Sequence, residues 1–240
     1  MTIQASAIVR RATDVIMDNT SVRWPANELV RWLNDAQREI IVMRKDAINR
    51  TTTVTLVAGT RQNLDAMSLS PAPSALIEIT RNMAAASQKK AVRLVPRQLL
   101  DSQIPGWHGI PGTIDVLHYM FDPRDPKTFY VYPPALASAQ LEVMYSGIPT
   151  DLAEPAAGAI FSNVVGVLSV PDIYANAILD YVLYRAYSKD SEFAGNSARA
   201  QNHYAAFGNS LGMEMKATMA VQPQSRPGMQ NASSAAAPGA

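Results

Sequence analysis

The chain has 240 residues, of which 48% are hydrophobic and 17% are charged. This composition is typical of one globular domain or two small ones, and it excludes a wholly disordered chain. No run of ~18 uninterrupted apolar residues is present to cross a bilayer, so we expect no membrane partner. The 21 basic and 20 acidic side chains leave a formal net charge of only +1. A dedicated duplex-binding protein usually carries a strong basic excess, so that class is disfavoured.

The chain contains no cysteine, which excludes disulfide frameworks, thiol catalysis, zinc–cysteine sites and iron–sulfur clusters. Its first residues lack the apolar segment of a secretory signal. We therefore expect a protein that is made in a reducing cytoplasm and is used there, or in a particle assembled there.

Two amphipathic helices are predicted in the first ~48 residues. The first carries apolar residues at helical spacing and stops before Asn19-Thr20-Ser21. The second begins at Trp24-Pro25, because proline suits the first helical position, where no intrahelical N–H bond is lost. The apolar stripe of the second helix consists of Leu29, Trp32, Leu33, Ala36, Ile40 and Met43.

Between residues 51 and 146 the sequence becomes rich in β-branched residues, which favour strands. The predicted strands are residues 51–57, 76–80, 91–95, 115–121, 128–132 and 140–145. The turn-rich residues 122–127 predict a hairpin loop, residues 96–100 a single helical turn and residues 103–112 a loop. Together these segments predict a small antiparallel β domain, arranged as a meander with an incomplete edge.

Two more helices are predicted near the C-terminus. The third covers residues 173–187, and a turn at residues 189–191 separates it from a fourth that runs to about Met219. The fourth helix carries a seam close to a heptad repeat, formed by Phe193, Ser197, Ala200, Tyr204, Phe207, Leu211 and Met215. The Ala/Ser/Pro/Gln tail that follows has one charge, Arg226, and cannot build a core alone.

The order of elements predicts an α+β fold. We expect N- and C-terminal helices to form one helical bundle, with an inserted small antiparallel β domain and an extended C-terminal tail. In residue numbers, the bundle comprises 1–50 and 163–219, the β domain 51–150, a linker 151–162, and an extended or disordered tail 220–240.

No motif for catalysis or for a cofactor is present. The sequence contains no G-x-S-x-G, no Walker loop and no G-x-G-x-x-G. The three histidines, His108, His118 and His203, fall in a loop, a strand and a helix, without a second ligand at metal spacing. Turn formation by Asp-Pro explains Asp122 and Asp125. We therefore expect neither an enzyme nor a cofactor or metal site.

The fourth helix differs from an ordinary amphipathic helix, because small residues occupy most of its faces. Its charges between residues 191 and 219 are Glu192, Arg199, Glu214 and Lys216. A helix in contact on one side only would normally show a charged opposite face. We interpret this helix as an oligomer interface; a central core helix of a monomer is the alternative. As an interface, it should tolerate Asp at Phe207 and Leu211 in a folded monomer that no longer assembles.

Two helical segments resemble those of a known family. Residues 24–40, WPANELVRWLNDAQREI, look like the early helix of head-to-tail adaptor (connector) proteins of tailed bacteriophages, which include the tail tubular protein A group. Residues 178–190, ILDYVLYRAYSKD, look like their late helix. The order of elements is similar over nearly the whole chain.

The resemblance implies a structural protein of the virion neck that forms a homo-oligomeric ring, usually of twelve subunits, beneath the portal. Such a ring joins the portal protein to a downstream tail or nozzle protein, and genomic DNA passes its axial channel without sequence-specific binding. The implied portal and subunit contacts are Tyr204, Phe207, Leu211, Met215, Val221 and Arg226. The implied tail-side contacts are the hairpin-loop residues Asp122, Arg124, Asp125 and Lys127.

Three other functions stay open at this point. Another neck or tail-completion protein, bound further from the portal, would show the same features. A nucleic-acid-binding protein would show steeply salt-dependent affinity, against which the charge count argues. A tail-associated hydrolase would need a pocket with convergent polar groups, for which no motif exists.

Overall fold

The computed structural model describes residues 3–193 and 195–221, with side chains up to residue 212. In this range the α-helices are α1 (Ala5–Ile16), α2 (Ala26–Met43), α3 (Arg97–Gln103), α4 (Ala175–Lys189) and α5 (Asn196–Val221). The strands are β1 (Asn49–Thr55), β2 (Gly59–Asn63), β3 (Pro73–Asn82), β4 (Arg93–Leu94), β5 (His118–Phe121), β6 (Thr128–Ala135) and β7 (Gln140–Gly147). Helices at both ends of the chain enclose a strand-rich insert, which confirms the predicted α+β class.

Helices from both ends of the chain share one hydrophobic core. α1 and α2 pack against α4, and α4 packs along α5. The most deeply buried members of this core are Ile8, Val9, Leu29, Leu33, Ile40, Ile178, Val182 and Phe207. Burial of one such side chain stabilises the fold by about 2 kcal/mol, so this core holds the two ends of the chain together.

The segment between β7 and α4 is bound along α2 by buried amide side chains. Asn34 donates from Nδ2 to the Leu152 carbonyl at 3.1 Å and accepts from the Leu152 N–H at 2.9 Å. The Gln37 side-chain oxygen accepts from the Ser169 N–H at 2.7 Å. These amides replace water as partners for backbone groups that no helix or strand satisfies. The region predicted as a linker, residues 151–162, is thus bound to α2 near its first end, at Leu152.

The strands form two small sheets around a second core. One sheet has the order β1-β7-β3 and is antiparallel, and the other has the order β2-β6-β5-β4. Consecutive strands β1 and β2 lie in different sheets, as do β6 and β7. Between the two sheets lie Val54, Leu64, Ile79, Phe129, Val131, Leu141, Val143 and Tyr145, all buried.

The predicted meander is wrong, because the strand order is not sequential. The first strand, β1, pairs with the last, β7, in an unbroken antiparallel register from Asn49 to Thr55. β4 has only two residues and runs parallel to β5. Long-range pairing of this kind leaves no local pattern in the sequence, whereas a hairpin turn does.

β2 is absent from the predicted strands because its sequence, GTRQN, has no apolar alternation. Its inward side is polar and is satisfied by hydrogen bonds instead. Gln62 is buried, accepts from the Val57 N–H at 2.9 Å and donates to the Val57 carbonyl at 2.7 Å. The Gln62 side chain thereby closes the turn between β1 and β2.

A flap formed by α3 and residues 104–112 covers the outer face of the four-stranded sheet. Trp107 of this flap is fully buried, with its ring centroid 6.3 Å from those of Tyr130 and Tyr132. The Trp107 Nε1 donates to Oδ1 of Asp101 on α3 at 2.9 Å. The predicted helical turn is therefore part of a seven-residue helix, and the predicted loop beside it supplies a small third core.

Asp18 fixes the turn between α1 and α2. Its carboxylate accepts hydrogen bonds from the backbone N–H groups of Val22, Arg23 and Trp24 at 3.1, 2.9 and 2.8 Å. Burial acts to raise the pKa of Asp18, but the three backbone donors outweigh it, and the pKa lies below its ordinary value. The turn also positions Trp24, whose Nε1 donates to the Ala186 carbonyl of α4 at 3.2 Å.

Replacing Asp18 with alanine should lower the free energy of unfolding at pH 7 by about 2 kcal/mol, because three N–H groups lose their acceptor. The folded-state pKa of Asp18 is depressed, so its contribution is complete above the unfolded-state pKa and is lost as pH falls through the folded-state pKa. The difference between the wild-type and variant stabilities, measured by urea denaturation, should therefore be complete above about pH 4 and should shrink as the pH falls further. Asp14→Ala, at an exposed position of α1, is the matched control and should change stability by less than about 0.5 kcal/mol. A difference that did not shrink between about pH 4 and about pH 2 would contradict this role of Asp18.

Candidate assembly surfaces

Aromatic pairs hold α4 and α5 together as a helical hairpin. Tyr181 packs edge-on against Phe207, with ring centroids 5.2 Å apart. The ring centroids of Tyr184 and Tyr204 are 4.9 Å apart. Aromatic contacts of this geometry stabilise by about 1 kcal/mol beyond the area they bury, so the rotation of α5 about its axis is well defined.

A polar contact closes the hairpin beside these aromatic pairs. Nδ1 of His203 lies 2.9 Å from Oδ1 of Asp180, and the imidazole stacks on Tyr187 with centroids 5.6 Å apart. The Arg199 guanidinium lies over the same tyrosine ring, 5.7 Å from its centroid. These contacts assign His203 a packing role between the helices.

Two residues of the predicted interface belong to the core of the chain itself. Phe207 has no exposed surface and Leu211 is 3% exposed, in the core shared with α1, α2 and α4. Side chains so placed have no surface left for a partner, which supports the core-helix alternative for the inner side of α5. Tyr204 is 44% exposed at the flank of the helix, and a partner can reach it.

Three other predicted interface residues have no described side chain. Met215 and Val221 lie within the backbone of α5, but their side chains fall outside the described residues. Arg226 and the rest of the tail, residues 222–240, also lie outside them. The portal contacts that the resemblance implies for this end stay predictions.

The outward side of α5 is exposed and uncharged, and we call it the α5 face. It consists of Ser197, Ala198, Gln201, Asn202, Ala205, Gly208 and Asn209. A Cβ built at Gly208 or Gly212 meets no atom within 4 Å, so the backbone of another chain can approach closely. Among the described side chains of α5, the exposed charge is Arg199, which lies to one side over Tyr187.

The hairpin loop between β5 and β6 is held by one ion pair within the loop and one to Asp65. Nη2 of Arg124 lies 2.6 Å from Oδ2 of Asp122, whose carboxylate also accepts the Arg124 backbone N–H at 3.0 Å. These hydrogen bonds lower the pKa of Asp122 to about 2. Nζ of Lys127 lies 2.9 Å from Oδ1 of Asp65, and Asp125 is exposed at the tip. The four predicted residues thus share one loop, in which Asp125 is the acid with no ion pair to a described residue.

An open groove of about 570 Å³ lies between this loop and α3. The Arg97 guanidinium lies over the Tyr130 ring at 5.0 Å, and its Nε is 3.4 Å from Oδ2 of Asp101. The groove therefore has one aromatic wall and one charged wall. The groove joins the hairpin loop and the flap into a single surface of mixed polarity. The predicted tail-side residues cover only the loop part of this surface.

The other two histidines pack within separate parts of the β region. His108 stacks on Trp107 with centroids 3.7 Å apart, and its Nδ1 lies 2.8 Å from Oγ1 of Thr60. His118 stacks on Tyr132 at 6.2 Å. Within the described part of the chain, no group of three or more His, Asp or Glu side chains could hold a metal ion.

The small residues of α5 are evident in the sequence, but the polar members of the α5 face are not among the predicted site residues. Gln201 and Asn202 are absent from the predicted site residues, because that prediction follows the apolar heptad seam of the helix. Both are exposed, whereas Ala200, Phe207 and Leu211 are buried. Once the buried stripe is known, helical periodicity alone identifies them.

Phe207→Asp should unfold the helical core, because a charge would be placed where no surface is exposed. We expect destabilisation by more than about 4 kcal/mol, measured by thermal and urea denaturation. Phe207→Leu keeps the site apolar and should cost about 1 kcal/mol, whereas Tyr204→Asp at an exposed position should leave the fold intact. A stable, monomeric Phe207→Asp variant would restore the interface interpretation for this residue.

Within the described residues, no helix has both the length and the hydropathy that a bilayer span requires. No curated protein matches the chain at a significant level. One family model does match, over residues 3–232, and its description is SU10 adaptor protein. The match includes the helices of both chain ends and the whole β insert. The chain therefore belongs to the SU10 adaptor protein family and is a structural adaptor of the phage neck.

Proposed function

We propose that the chain forms a ring that joins the portal at the capsid vertex to the tail and leaves an axial channel for the genome. The observation that carries the proposal is the match to the SU10 adaptor protein family over residues 3–232. The ring is a structural part of the virion neck, with no catalytic step and no cofactor. Its partners are the portal protein on one side and a downstream tail or nozzle protein on the other.

Neighbouring subunits of the ring contact one another through the α5 face. A closed ring needs a heterologous interface, in which one patch of each copy meets a different patch of the next. The α5 face suits this role because burying it desolvates no charge, while Gly208 and Gly212 allow close backbone approach. Tyr204, at its flank, adds the exposed aromatic surface that interfaces favour. We expect twelve copies in the ring.

The two partners contact different parts of the subunit. The C-terminal part of α5 and the segment after it, with Met215, Val221 and Arg226, contact the portal. The hairpin loop, with Asp125 at its tip, contacts the tail or nozzle protein. The net charge of +1 suits a DNA conduit, because strongly basic walls would bind phosphates and hold the genome.

Gly208→Arg should abolish ring formation without destabilising the subunit. A side chain at position 208 enters open space, and arginine favours a helix over glycine by about 0.8 kcal/mol. In the ring, however, the cation would lie in a desolvated contact. Native mass spectrometry and negative-stain images of the variant, alone and on the portal, should show monomers where wild type shows rings.

Two variants serve as controls for this experiment. Gly208→Ala adds no charge and should assemble like wild type. Gly109→Arg places the same side chain at an equally open position of the flap and should also assemble, so it separates position from added charge. Normal rings from Gly208→Arg would remove the α5 face from the subunit interface.

Co-sedimentation with the portal ring of the same genome tests the adaptor role itself. We expect a collar of added density at one end of the portal in negative-stain images. Deletion of residues 221–240 should weaken this binding without a large change in melting temperature, because a segment of Ala/Ser/Pro/Gln composition cannot build a core alone. An unchanged affinity would remove the tail from the portal interface. Absence of binding by the folded, full-length chain would favour a neck or tail-completion protein placed further from the portal.

A further inference from the structure

β1 is an edge strand with a free outer side. It pairs with β7 on one side, over seven residues and without a bulge. On its other side, no described residue of the chain forms a backbone hydrogen bond with it. At about 3.3 Å per residue, the free edge is roughly 23 Å long, which is a full-length site for another strand.

The register shows which backbone groups point outward. The Gly147 N–H donates to the Ile48 carbonyl at 2.9 Å, so these two residues form a hydrogen-bonded pair. In this register the even-numbered residues of β1 are therefore the ones bonded to β7. In an antiparallel ladder the hydrogen-bonded pairs alternate, so the odd-numbered residues direct their N–H and C=O groups away from β7. Thr51, Thr53 and Thr55 therefore present an evenly spaced row of donors and acceptors at the free edge.

The other sheet edges are shortened, interrupted or covered. The outer side of β3 is hydrogen-bonded to the next segment, from the Asn82 N–H to the Lys90 carbonyl at 3.0 Å and from the Val92 N–H to the Thr80 carbonyl at 3.1 Å. β4 has two residues, and the register of β2 shifts between its first and third residues. Such features, together with charge and proline, keep edges from pairing with other chains.

β1 lacks these protections. Its sequence, NRTTTVT, has no proline and one charge, near its first end, and threonine and valine favour extended structure. Thr51, Thr53 and Thr55 are exposed, while Val54 on the opposite side is buried at the rim of the β core. A regular and nearly uncharged edge of this length would promote aggregation if the assembled protein left it open.

A groove at the first end of β1 adds a second, electrostatic feature. It has a volume of about 600 Å³ and lies between the start of β1 and the segment before α4, with Arg50 and Val170 in its walls. Arg50 is exposed and makes no ion pair with a described residue; its Nη1 donates to the Asn49 carbonyl at 3.1 Å. The acid in the groove, Asp46, is already bound by Arg44 at 2.9 Å. A carboxylate from a partner would therefore be favoured beside Arg50.

We propose that β1 accepts an extended segment of another neck protein, which adds a fourth strand to the β1-β7-β3 sheet. The segment pairs with the outward groups of Thr51, Thr53 and Thr55, as in strand addition to other open edges. Its side chains alternate between apolar residues beside Val54 and polar residues beside the threonine row, and it carries a carboxylate that reaches Arg50. The proposal rests on assembly of the chain in the neck and is independent of which helix face closes the ring.

Amide hydrogen exchange of the wild-type chain tests the proposal directly. In the isolated protein, the amides of Thr51, Thr53 and Thr55 should exchange rapidly, whereas those of Thr52 and Val54 are protected by β7. In necks purified from particles of the same phage, the three outward amides should exchange at least about 100-fold more slowly. Rapid exchange in necks that contain the protein would reject strand addition and leave the adaptor role intact. Slow exchange in rings of the protein alone would make a second copy the occupant and would overturn the assignment to another protein.

A pair of variants separates backbone pairing from side-chain effects. Thr53→Pro removes one outward N–H but leaves the ladder with β7 in place, since prolines are tolerated on edge strands. Thr53→Val keeps the N–H and the β-branched shape. The expected result is a folded Thr53→Pro protein whose neck complex loses the added partner, while Thr53→Val retains it. Equal retention of the partner by both variants would overturn the proposal.

Discussion

The pairing of β1 with β7 closes the β insert, and the rest of the structure depends on that closure. β1 is the first strand of the insert and β7 is the last. Because they pair, the two segments that connect the insert to the helices, before β1 and after β7, lie next to each other. Bringing the ends of a loop of roughly 100 residues together costs about 4 kcal/mol of entropy when nothing else holds them. The hydrogen-bonded ladder between β1 and β7 holds the two ends together. A Cβ at Gly147 would collide with Pro71, so the closing point is also packed too tightly for a side chain.

Buried polar side chains perform one recurring task in this chain, which is to bind irregular backbone. Asp18 binds the turn between α1 and α2, and Gln62 binds the turn between β1 and β2. Asn34 and Gln37 bind the segment that returns from the β insert to α4. Each satisfies backbone groups that would otherwise be buried without partners. The connections are thereby bound to the helices and strands beside them.

The sequence predicts α1 and α2 well because each has an apolar stripe with helical periodicity, as in α2 from Leu29 to Ile40. It also predicts which part of the chain is β and where the β5–β6 hairpin loop lies. It does not predict the sheet order, since the β1–β7 contact is set by packing over a long separation rather than by local residues. It misses β2 because Gln62 is buried through hydrogen bonds and not through hydrophobicity.

The two candidate surfaces, the hairpin loop and α5, differ in how much of each the sequence predicts. The charges of the hairpin loop are visible in the sequence, but the ion pair between Lys127 and Asp65 needs the fold. For α5, composition alone shows a helix with few charges. It does not show that Phe207 and Leu211 face inward while Gln201 and Gly208 face outward, because small residues on every side weaken the periodic signal.

The inserted arrangement also has a consequence for biosynthesis. The stripe of α2 is complete when Met43 leaves the ribosome, but its packing partner α4 begins only at Ala175. At roughly 5–20 residues per second, about 7–26 s pass after α2 is complete before synthesis of α4 begins. During this interval two amphipathic helices display Leu29, Leu33 and Ile40 to other chains. The nascent N-terminal helices therefore expose apolar side chains for which chaperone protection is useful, even though Leu29, Leu33 and Ile40 are buried in the finished subunit.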